Sequence, residues 1–264
     1  MRISILTIFP DFFPPALAEG MIRAAREKGR LAVEIVPLRE FTDDSHRSTD
    51  DYPFGGGVGM IMKIDPIARA LDALAVGSPR LRPAGTRVVL LSPQGRPFTQ
   101  PLAIGYAALE HLVLVCGRYK GVDERVSEWL IDEELSLGDF VLSGGEPAAL
   151  CVADAVARLL PGVVGDSDSV ESDSFHSGIL DAPHYTRPAD YRGWTVPEVL
   201  LGGNHAAIAR WRREQALRRT FERRPELLAA AELSAEDRRF LRGLEQERAA
   251  RGAAPREPAP REPT

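Results

Sequence analysis

Cys116-Gly117-Arg118-Tyr119-Lys120-Gly121-Val122-Asp123-Glu124-Arg125 follows the apolar run Leu112–Val115 and precedes Ser136-Leu137-Gly138-Asp139-Phe140-Val141-Leu142-Ser143-Gly144-Gly145-Glu146. Two buried-strand signals thus end in Gly-rich turns, and backbone left open at such turns is where α/β proteins hold small ligands. A third copy of the pattern lies upstream, where Val88-Val89-Leu90-Leu91 runs into Ser92-Pro93-Gln94-Gly95. Three strand ends are therefore expected to gather around one pocket.

A second dense cluster runs Arg39-Glu40-Phe41-Thr42-Asp43-Asp44-Ser45-His46-Arg47, then Asp50-Asp51-Tyr52-Pro53-Phe54 and Gly55-Gly56-Gly57-Val58-Gly59-Met60. These glycines lack the Gly-Lys-Ser/Thr ending of a P-loop and the Gly-x-Gly-x-x-Gly spacing of a dinucleotide fold, which argues against a nucleotide triphosphate or NAD site. The cluster offers adaptable backbone, Gly57 and Gly59 included, beside His46, Arg47 and a pair of aspartates. That combination suits a polar, flat ligand such as a base, and taken alone it also reads as a plain turn. Cys116 and Cys151 are the only cysteines and form no Cys-x-x-Cys pair, which argues against redox or zinc chemistry.

The elements that must position these residues alternate between strand and helix through about the first 160 residues. Ile3–Phe9 and Leu31–Pro37 read as strands, and Pro15–Lys28, Ile64–Ala75, Thr99–Leu109 and Glu146–Leu160 as helices, the last ended by Pro161-Gly162. Strands separated by helices favour an α/β fold with a parallel sheet covered on both faces. Periodicity disappears from Val163 to Thr195, where Gly165–Ser174 has the composition of a mobile loop; residues 163–195 are expected to be a flexible interdomain linker or lid. Beyond it, Asn204–Arg219, Arg224–Ala230 and Ser234–Ala250 read as helices of a small all-helical domain over 196–250, with Ser234 and Asp237 spaced as a capping box. Residues 251–264 repeat Pro-Arg-Glu-Pro and are expected to be disordered.

A chain of 264 residues can bury a full core, and 44% hydrophobic with 27% charged residues is the composition of an ordinary soluble protein. No apolar run reaches the roughly 20 residues that span a bilayer, and no basic flank, apolar segment and cleavage site occur together near Met1. A cytoplasmic protein without membrane contact is expected. The net charge of −5 argues against wholesale coating by nucleic acid, yet between Arg210 and Arg224 seven arginines face two glutamates, interleaved with Trp211, Leu217 and Phe221. That is a basic helix with an apolar side.

Six motifs then carry a resemblance. Arg39-x-Phe41-Thr42-x-Asp44-x-His46-Arg47, Gly55-Gly56-Gly57-x-Gly59-Met60, Leu91-Ser92-Pro93-Gln94-Gly95-Arg96, Cys116 through Arg125, Gly138 through Glu146, and Pro183-His184-Tyr185-Thr186-Arg187-Pro188 occur in the order seen in the bacterial tRNA (guanine-N1-)-methyltransferase family, TrmD. The chain resembles that family from Met1 to about Leu228. The resemblance implies an S-adenosylmethionine-dependent enzyme of the SPOUT class, whose parallel sheet contains a deep trefoil knot over residues 1–162, a rare exception to the rule that chains do not thread their own loops. It implies a cofactor pocket at Leu91, Ser92, Pro93, Gly117, Arg118, Tyr119, Gly121, Ser136, Leu137, Gly138, Phe140, Leu142, Gly144 and Gly145. Arg118 and Tyr119 also read as ordinary turn residues at the pocket rim.

The implied reaction is an in-line displacement at the methyl carbon by guanine N1. That nitrogen carries a proton in neutral guanine, so a base must remove it, and charge developing on the ring oxygen needs a cation. Residue-by-residue transfer gives Asp173 as the base and Arg158 as the cation. Read without the family, Asp173 is a solvated acid in an acidic loop and Arg158 a surface residue on an alanine-rich helix. Asp123, Glu124 and Arg125 read equally as charges complementing a helix N-terminus.

Arg39, His46, Arg47, Asp50, Gly57 and Gly59 are expected to place the target guanine, and Arg218 and Arg219 to hold phosphates of the tRNA anticodon stem-loop. The resemblance also implies a homodimer and a possible magnesium requirement, for which no carboxylate cluster has convincing ligand spacing. Lys120 stands where the family commonly has glutamate, and Phe54 and Phe140 where it has tyrosine. Two rival readings share parts of this pattern. A SPOUT-class enzyme acting on another RNA position would share the cofactor turns but not the Arg39–Met60 cluster; a non-catalytic RNA-binding factor would need no intact pocket.

Overall fold

A computed structural model describes residues 1–165 and 173–252, and the chain divides into two compact units, Met1–Val170 and Glu171–Thr264. Most of the acidic stretch expected to form a mobile loop, residues 166–172, and the tail from 253 lie outside the described residues.

The first unit is built on five parallel strands, β1 (Arg2–Thr7), β2 (Ala32–Pro37), β5 (Thr86–Pro97), β6 (His111–Cys116) and β7 (Glu133–Ser136), in the order β2-β1-β6-β5-β7. A separate two-stranded ribbon pairs β3 (Asp50–Asp51) with β4 (Ile61–Met62). Apolar runs such as His111–Cys116 are buried throughout because both sheet faces are covered. Ile3, Ile5, Val89, Leu91, Leu112 and Leu114 point to one face, packing with helices α1 (Pro14–Leu17), α2 (Gly20–Glu27), α4 (Gln100–Ala107) and α6 (Glu146–Ala157). Their neighbours Leu6, Val88, Leu90, Val113 and Val115 point to the other, against α3 (Ile64–Ala73) and α5 (Glu124–Trp129). The period of two in a strand makes this division automatic.

Three local readings change. The helix expected over Pro15–Lys28 is broken into α1 and α2, since Glu19 is extended and Gly20 sits in the left-handed region at φ +62. Strand β7 and helix α5 carry little apolar signal: β7 opens on Glu133, whose carboxylate is held by Arg87 and Arg96. The run Phe140-Val141-Leu142 extends no strand; all three side chains are exposed.

At the end of the sheet where the strands begin, buried His111 accepts from Arg2 Nη2 at Nδ1 (2.9 Å) and meets Ser4 Oγ at Nε2 (2.8 Å); Ser4 Oγ donates in turn to Glu34. An arginine can only donate, so Nδ1 is unprotonated and the ring neutral. Burial, and then the Arg2 charge, lower the His111 pKa from 6.5 to about 4. Between those values the unfolded chain binds the extra proton, so the stabilisation is complete above pH 6.5 and is lost as pH falls towards 4. His111→Gln should therefore flatten the fall in Tm between pH 6.5 and 4 in melting experiments; an unchanged slope would remove His111 as its source.

The second unit contains helices Glu198–Leu201, His205–Arg223 and Ala235–Gly252, a 3-10 turn at Pro225–Ala229 and a small ribbon pairing Asp190–Tyr191 with Trp194–Thr195. Its core joins Ala216, Leu217, Leu241 and Leu244 to Ile179 and Ala182. The aperiodic stretch beginning at Val163 is thus anchored: Val163 is buried in the first unit's core, Ile179 and Ala182 in the second's. The capping box forms as spaced, with Asp237 Oδ2 accepting from Ser234 N and Ser234 Oγ from Asp237 N. Arg213 reaches Asp237 with two nitrogens (2.8 and 3.0 Å) and leads the interactions that lower its pKa to about 2. No described helix is long and apolar enough to cross a membrane.

Candidate active site

The C-terminal ends of β5, β6 and β7 open onto one cleft of about 310 Å³, a volume suited to a small-molecule ligand. Leu91, Ser92 and Pro93 form its wall from β5; Gly117, Arg118, Tyr119 and Gly121 follow β6; and Ser136, Leu137, Gly138, Phe140, Leu142, Gly144 and Gly145 follow β7. All fourteen residues expected in a cofactor pocket line this cleft. Gln94, Lys120, Ser127 and Glu134 also line it. Gln94 and Lys120 lie within the Gly-rich turns already named, whereas Ser127 and Glu134 stand outside them, which is why sequence reading passes over those two.

Close backbone approach explains the glycines. After Leu91 the β5 strand leaves its ladder with β7 and rejoins it at Arg96, both positions facing Leu135. The intervening excursion, Ser92–Gly95, becomes cleft wall. A Cβ on Gly95 would fall 2.2 Å from Leu135 N, and one on Gly145 2.7 Å from Cys116 Cα. Gly145 N also donates to Gly117 O at 2.9 Å, and Arg118 bridges Gly144 as a short antiparallel pair. Two turns about thirty residues apart in sequence are thereby clamped together. At the start of the turn after β7, Ser136 Oγ accepts from Gly138 N (3.1 Å).

Cys116 beneath the cleft is wholly buried, and burial, followed by the nearby Glu146 charge, pushes its thiol well up. A thiol so held is no nucleophile.

The guanine-reading candidates lie in the same unit. Arg39, on the 3-10 turn Leu38–Phe41, donates to Arg47 O (3.1 Å), and Arg47 takes a left-handed φ of 53. Asp44 gathers the turn by accepting from His46 N and Ser48 N. Asp50 pairs with Met62 across the β3–β4 ribbon, and that ribbon is tied to the β6 turn: Lys120 N donates to Met60 O, Met62 N to Gly121 O and Asp123 N to Met62 O, each at 3.0 Å. Tyr119, at φ 59, is the direct link; partial burial, then the Asp50 carboxylate, raise its pKa. Gly57 and Gly59 lie on the exposed loop, where a Cβ added to Gly59 would stand 3.6 Å from Lys120 Cβ. Arg39, Asp50 and the Gly59 loop are therefore brought to the cofactor-turn side of the fold, with His46 and Arg47 exposed on the adjoining turn.

The two catalytic assignments fall one in each unit. Arg158 caps the C-terminal end of α6, whose N-terminal end meets the cleft at Gly145 and Ala148. Twelve helical residues separate the two ends, about 18 Å at 1.5 Å each, so Arg158 does not reach the cleft of its own chain. Asp173 lies in the second unit, half-buried, in a turn closed by His176 N on Asp173 O (3.2 Å) and Phe175 N on Ile179 O (2.8 Å). Asp123 accepts from Arg125 N at the start of α5, the geometry of a helix cap.

On the arginine-rich helix, Arg218 meets Glu247 (3.4 Å) and lies over the Phe240 ring, while Arg219 donates to Asp181 O (3.2 Å). Both are half-buried within the unit. Arg212 and Arg223 are exposed and form no ion pair among the described residues. Among the described residues no group of three or more His, Cys, Asp or Glu is placed to hold a metal ion.

Comparison with known proteins agrees with this geometry. A family profile described as tRNA (Guanine-1)-methyltransferase TrmD matches residues 1–230. The chain is 53% identical to a tRNA (guanine-N(1)-)-methyltransferase of Moorella thermoacetica over 241 residues, 91% of this chain and 95% of that protein. It is 50% identical to the protein of that name from Geotalea uraniireducens over 93% of this chain and 98% of the relative. Against the one from Geobacillus kaustophilus it is 48% identical, over 94% and 100%. A match that begins at residue 1 and takes in all three cleft-forming turns establishes that the chain belongs to the tRNA (guanine-1)-methyltransferase TrmD family.

Proposed function

We propose that this protein is an enzyme that methylates N1 of guanosine 37, immediately 3′ of the anticodon, in tRNA, with S-adenosylmethionine as donor. The observation that carries the reading is the convergence of the turns at Ser92, Gly117 and Gly144 on a single cleft, with glycine backbone in its lining. Such a cleft fits the donor: amides and carbonyls are available to an adenine edge and ribose hydroxyls, and the absence of side chains lets the ligand approach closely. When bound, the donor supplies an electrophilic methyl group on a sulfonium.

What the chain itself must do follows from the acceptor. Guanine N1 has no free lone pair until its proton leaves, and Asp173 is assigned as the base that takes it. The charge then shifts to the ring oxygen, where a guanidinium, assigned to Arg158, stabilises it. Arg39, His46, Arg47 and Asp50 orient the base, and the Tyr119–Asp50 contact joins that set to the donor cleft.

The position of Arg158, about a helix length from its own cleft, supports an enzyme that works as a homodimer, one copy supplying this arginine to the other. A chain threaded as a trefoil knot around the cleft is inferred from the family match. Exposed Arg212 and Arg223 favour phosphate contact by the His205–Arg223 helix, with the half-buried Arg218 and Arg219 stiffening it. A cytoplasmic location goes with a tRNA substrate.

The test is direct. Labelled S-adenosylmethionine is incubated with the protein and unmodified tRNA transcripts carrying guanosine or adenosine at position 37. Label should enter only the guanosine transcript and appear as N1-methylguanosine on nucleoside mapping. Label in both, or at another nucleoside, would favour a SPOUT-class enzyme of different specificity. Failure to bind the donor in calorimetry would leave a non-catalytic RNA-binding factor.

A further inference from the structure

The first turn of α6 holds a group that no step above uses. Glu146 is fully buried, with 0% of its surface exposed, yet it is a carboxylate inside a parallel α/β core. Both of its oxygens are satisfied by residues far away in sequence. Thr7 Oγ1, at the end of the inner strand β1, donates to Oε1 at 2.7 Å, and Arg118 Nε donates to Oε2 at 3.0 Å. Thr7 Oγ1 in turn accepts from Phe9 N (2.9 Å), and the Arg118 guanidinium lies 4.4 Å over the Phe9 ring. A buried carboxylate persists only when its environment supplies such donors, and the helix N-terminus adds to them.

The arrangement fixes one cleft residue in particular. Arg118 belongs to the turn after β6 and lines the cleft. Its side chain runs so close to Gly144 that a Cβ there would stand 2.1 Å from Arg118 Nε and 2.6 Å from Glu146 Oε2. Glu146, Arg118 and Gly144 therefore form a single packed contact, and the backbone bridge between Arg118 and Gly144 lies beside it. Removing the carboxylate would release Arg118 and with it the spacing of two of the three turns that form the cleft.

We propose that Glu146 is a positioning residue for methyl-donor binding: anchored by Thr7, it locks Arg118 across Gly144 and so holds the turns after β6 and β7 at the separation the donor requires. This rests on the donor-cleft reading above. It predicts an effect transmitted through Arg118, distinct from a general loss of stability.

Calorimetric titration of wild-type protein with S-adenosylmethionine comes first, and absence of binding there would sink the donor-cleft reading itself. With wild-type binding in hand, Glu146→Gln should weaken the dissociation constant at least about tenfold, and Thr7→Val several-fold, the neutral amide being a poorer partner for a guanidinium. In the cycle of Glu146→Gln, Arg118→Gln and the double variant, the double variant should bind no worse than the weaker single one, since both substitutions break the same link. The conservative Arg118→Lys, which keeps the charge but loses the Nε geometry, should fail to restore affinity. Donor affinity within about twofold of wild type in Glu146→Gln, or additive losses in the cycle, would overturn the proposal. Should Glu146→Gln not fold, Thr7→Val with Arg118→Gln forms the same cycle from the two ends of the link, and additivity there has the same force.

Discussion

Asp173→Asn should lower the single-turnover rate of methyl transfer by about 10²–10⁴ while leaving donor and tRNA dissociation constants near those of wild type, because the amide keeps the shape and loses only the capacity to accept a proton. The size of the effect follows from the acceptor: with its proton in place, guanine N1 offers no lone pair to the methyl carbon. The structure gives the assignment a physical setting. Asp173 stands on a closed turn whose carbonyl accepts from His176 N, and the turn is pinned by Phe175 N on Ile179 O, with Ile179 buried in the second unit's core. Ser174 Oγ accepts from Asp181 N (3.0 Å), adding a second tie. These ties hold the backbone that carries the carboxylate, which a loose loop would not do. Rates measured across pH with Asp173→Ala and Asp173→Asn decide the matter; methylation near the wild-type rate in either would take the base role away from this residue.

Gly95→Ala is expected to be the most damaging single methyl group that can be added to the first unit. The new Cβ would sit 2.2 Å from Leu135 N and 2.3 Å from the Glu134 carbonyl carbon, both backbone atoms of the adjoining strand. No rotamer can relieve an overlap at Cβ, so β5 and β7 must separate or the Ser92–Gly95 excursion must rearrange. Overpacking of this kind costs about 3 kcal/mol or more, a fall in Tm on the order of 10 °C in a chain of this size. Because the displaced segment is also cleft wall, donor affinity should fall with it. Gly105→Ala supplies the control: it lies on α4, where an added Cβ meets nothing within 4 Å. Melting of the two variants side by side, with and without S-adenosylmethionine, gives the comparison, and a Gly95→Ala protein that melts and binds like wild type would contradict the packing described here.

Much of the first unit is written in local pattern. Largely apolar runs at Ile3–Phe9, Val88–Leu91 and Leu112–Val115 become inner strands because a sheet covered on both faces needs no polar alternation, and the order strand-helix-strand obliges them to lie parallel. The helices over Ile64, Thr99 and Glu146 fall within a few residues of their expected limits for the same kind of reason. Weak local signals misled. Glu133 opens β7 with a charge that only Arg87 and Arg96, thirty to fifty residues away, neutralise; and Phe140–Leu142, apolar enough for a strand, stays exposed on the cleft rim. The site divides likewise. Glycines at turns after apolar runs announced a ligand cleft, whereas buried Glu146, preceded only by other motif residues, carried no sign of its partners Thr7 and Arg118.

Residue types and spacing by themselves determined the parallel α/β sheet, the three turns, the arginine-rich helix and the family resemblance. Tertiary structure alone decided that those turns share one cleft, that Arg158 lies at the far end of α6 from it, and that Arg218 and Arg219 are engaged within their own unit. The physical reason is range. Strand and helix periodicity arise from neighbours a few residues apart, whereas the contacts that shape the site, Gly95 on Leu135, Gly145 on Cys116 and Glu146 on Thr7, join segments between about thirty and one hundred and forty residues apart, whose meeting no local pattern encodes.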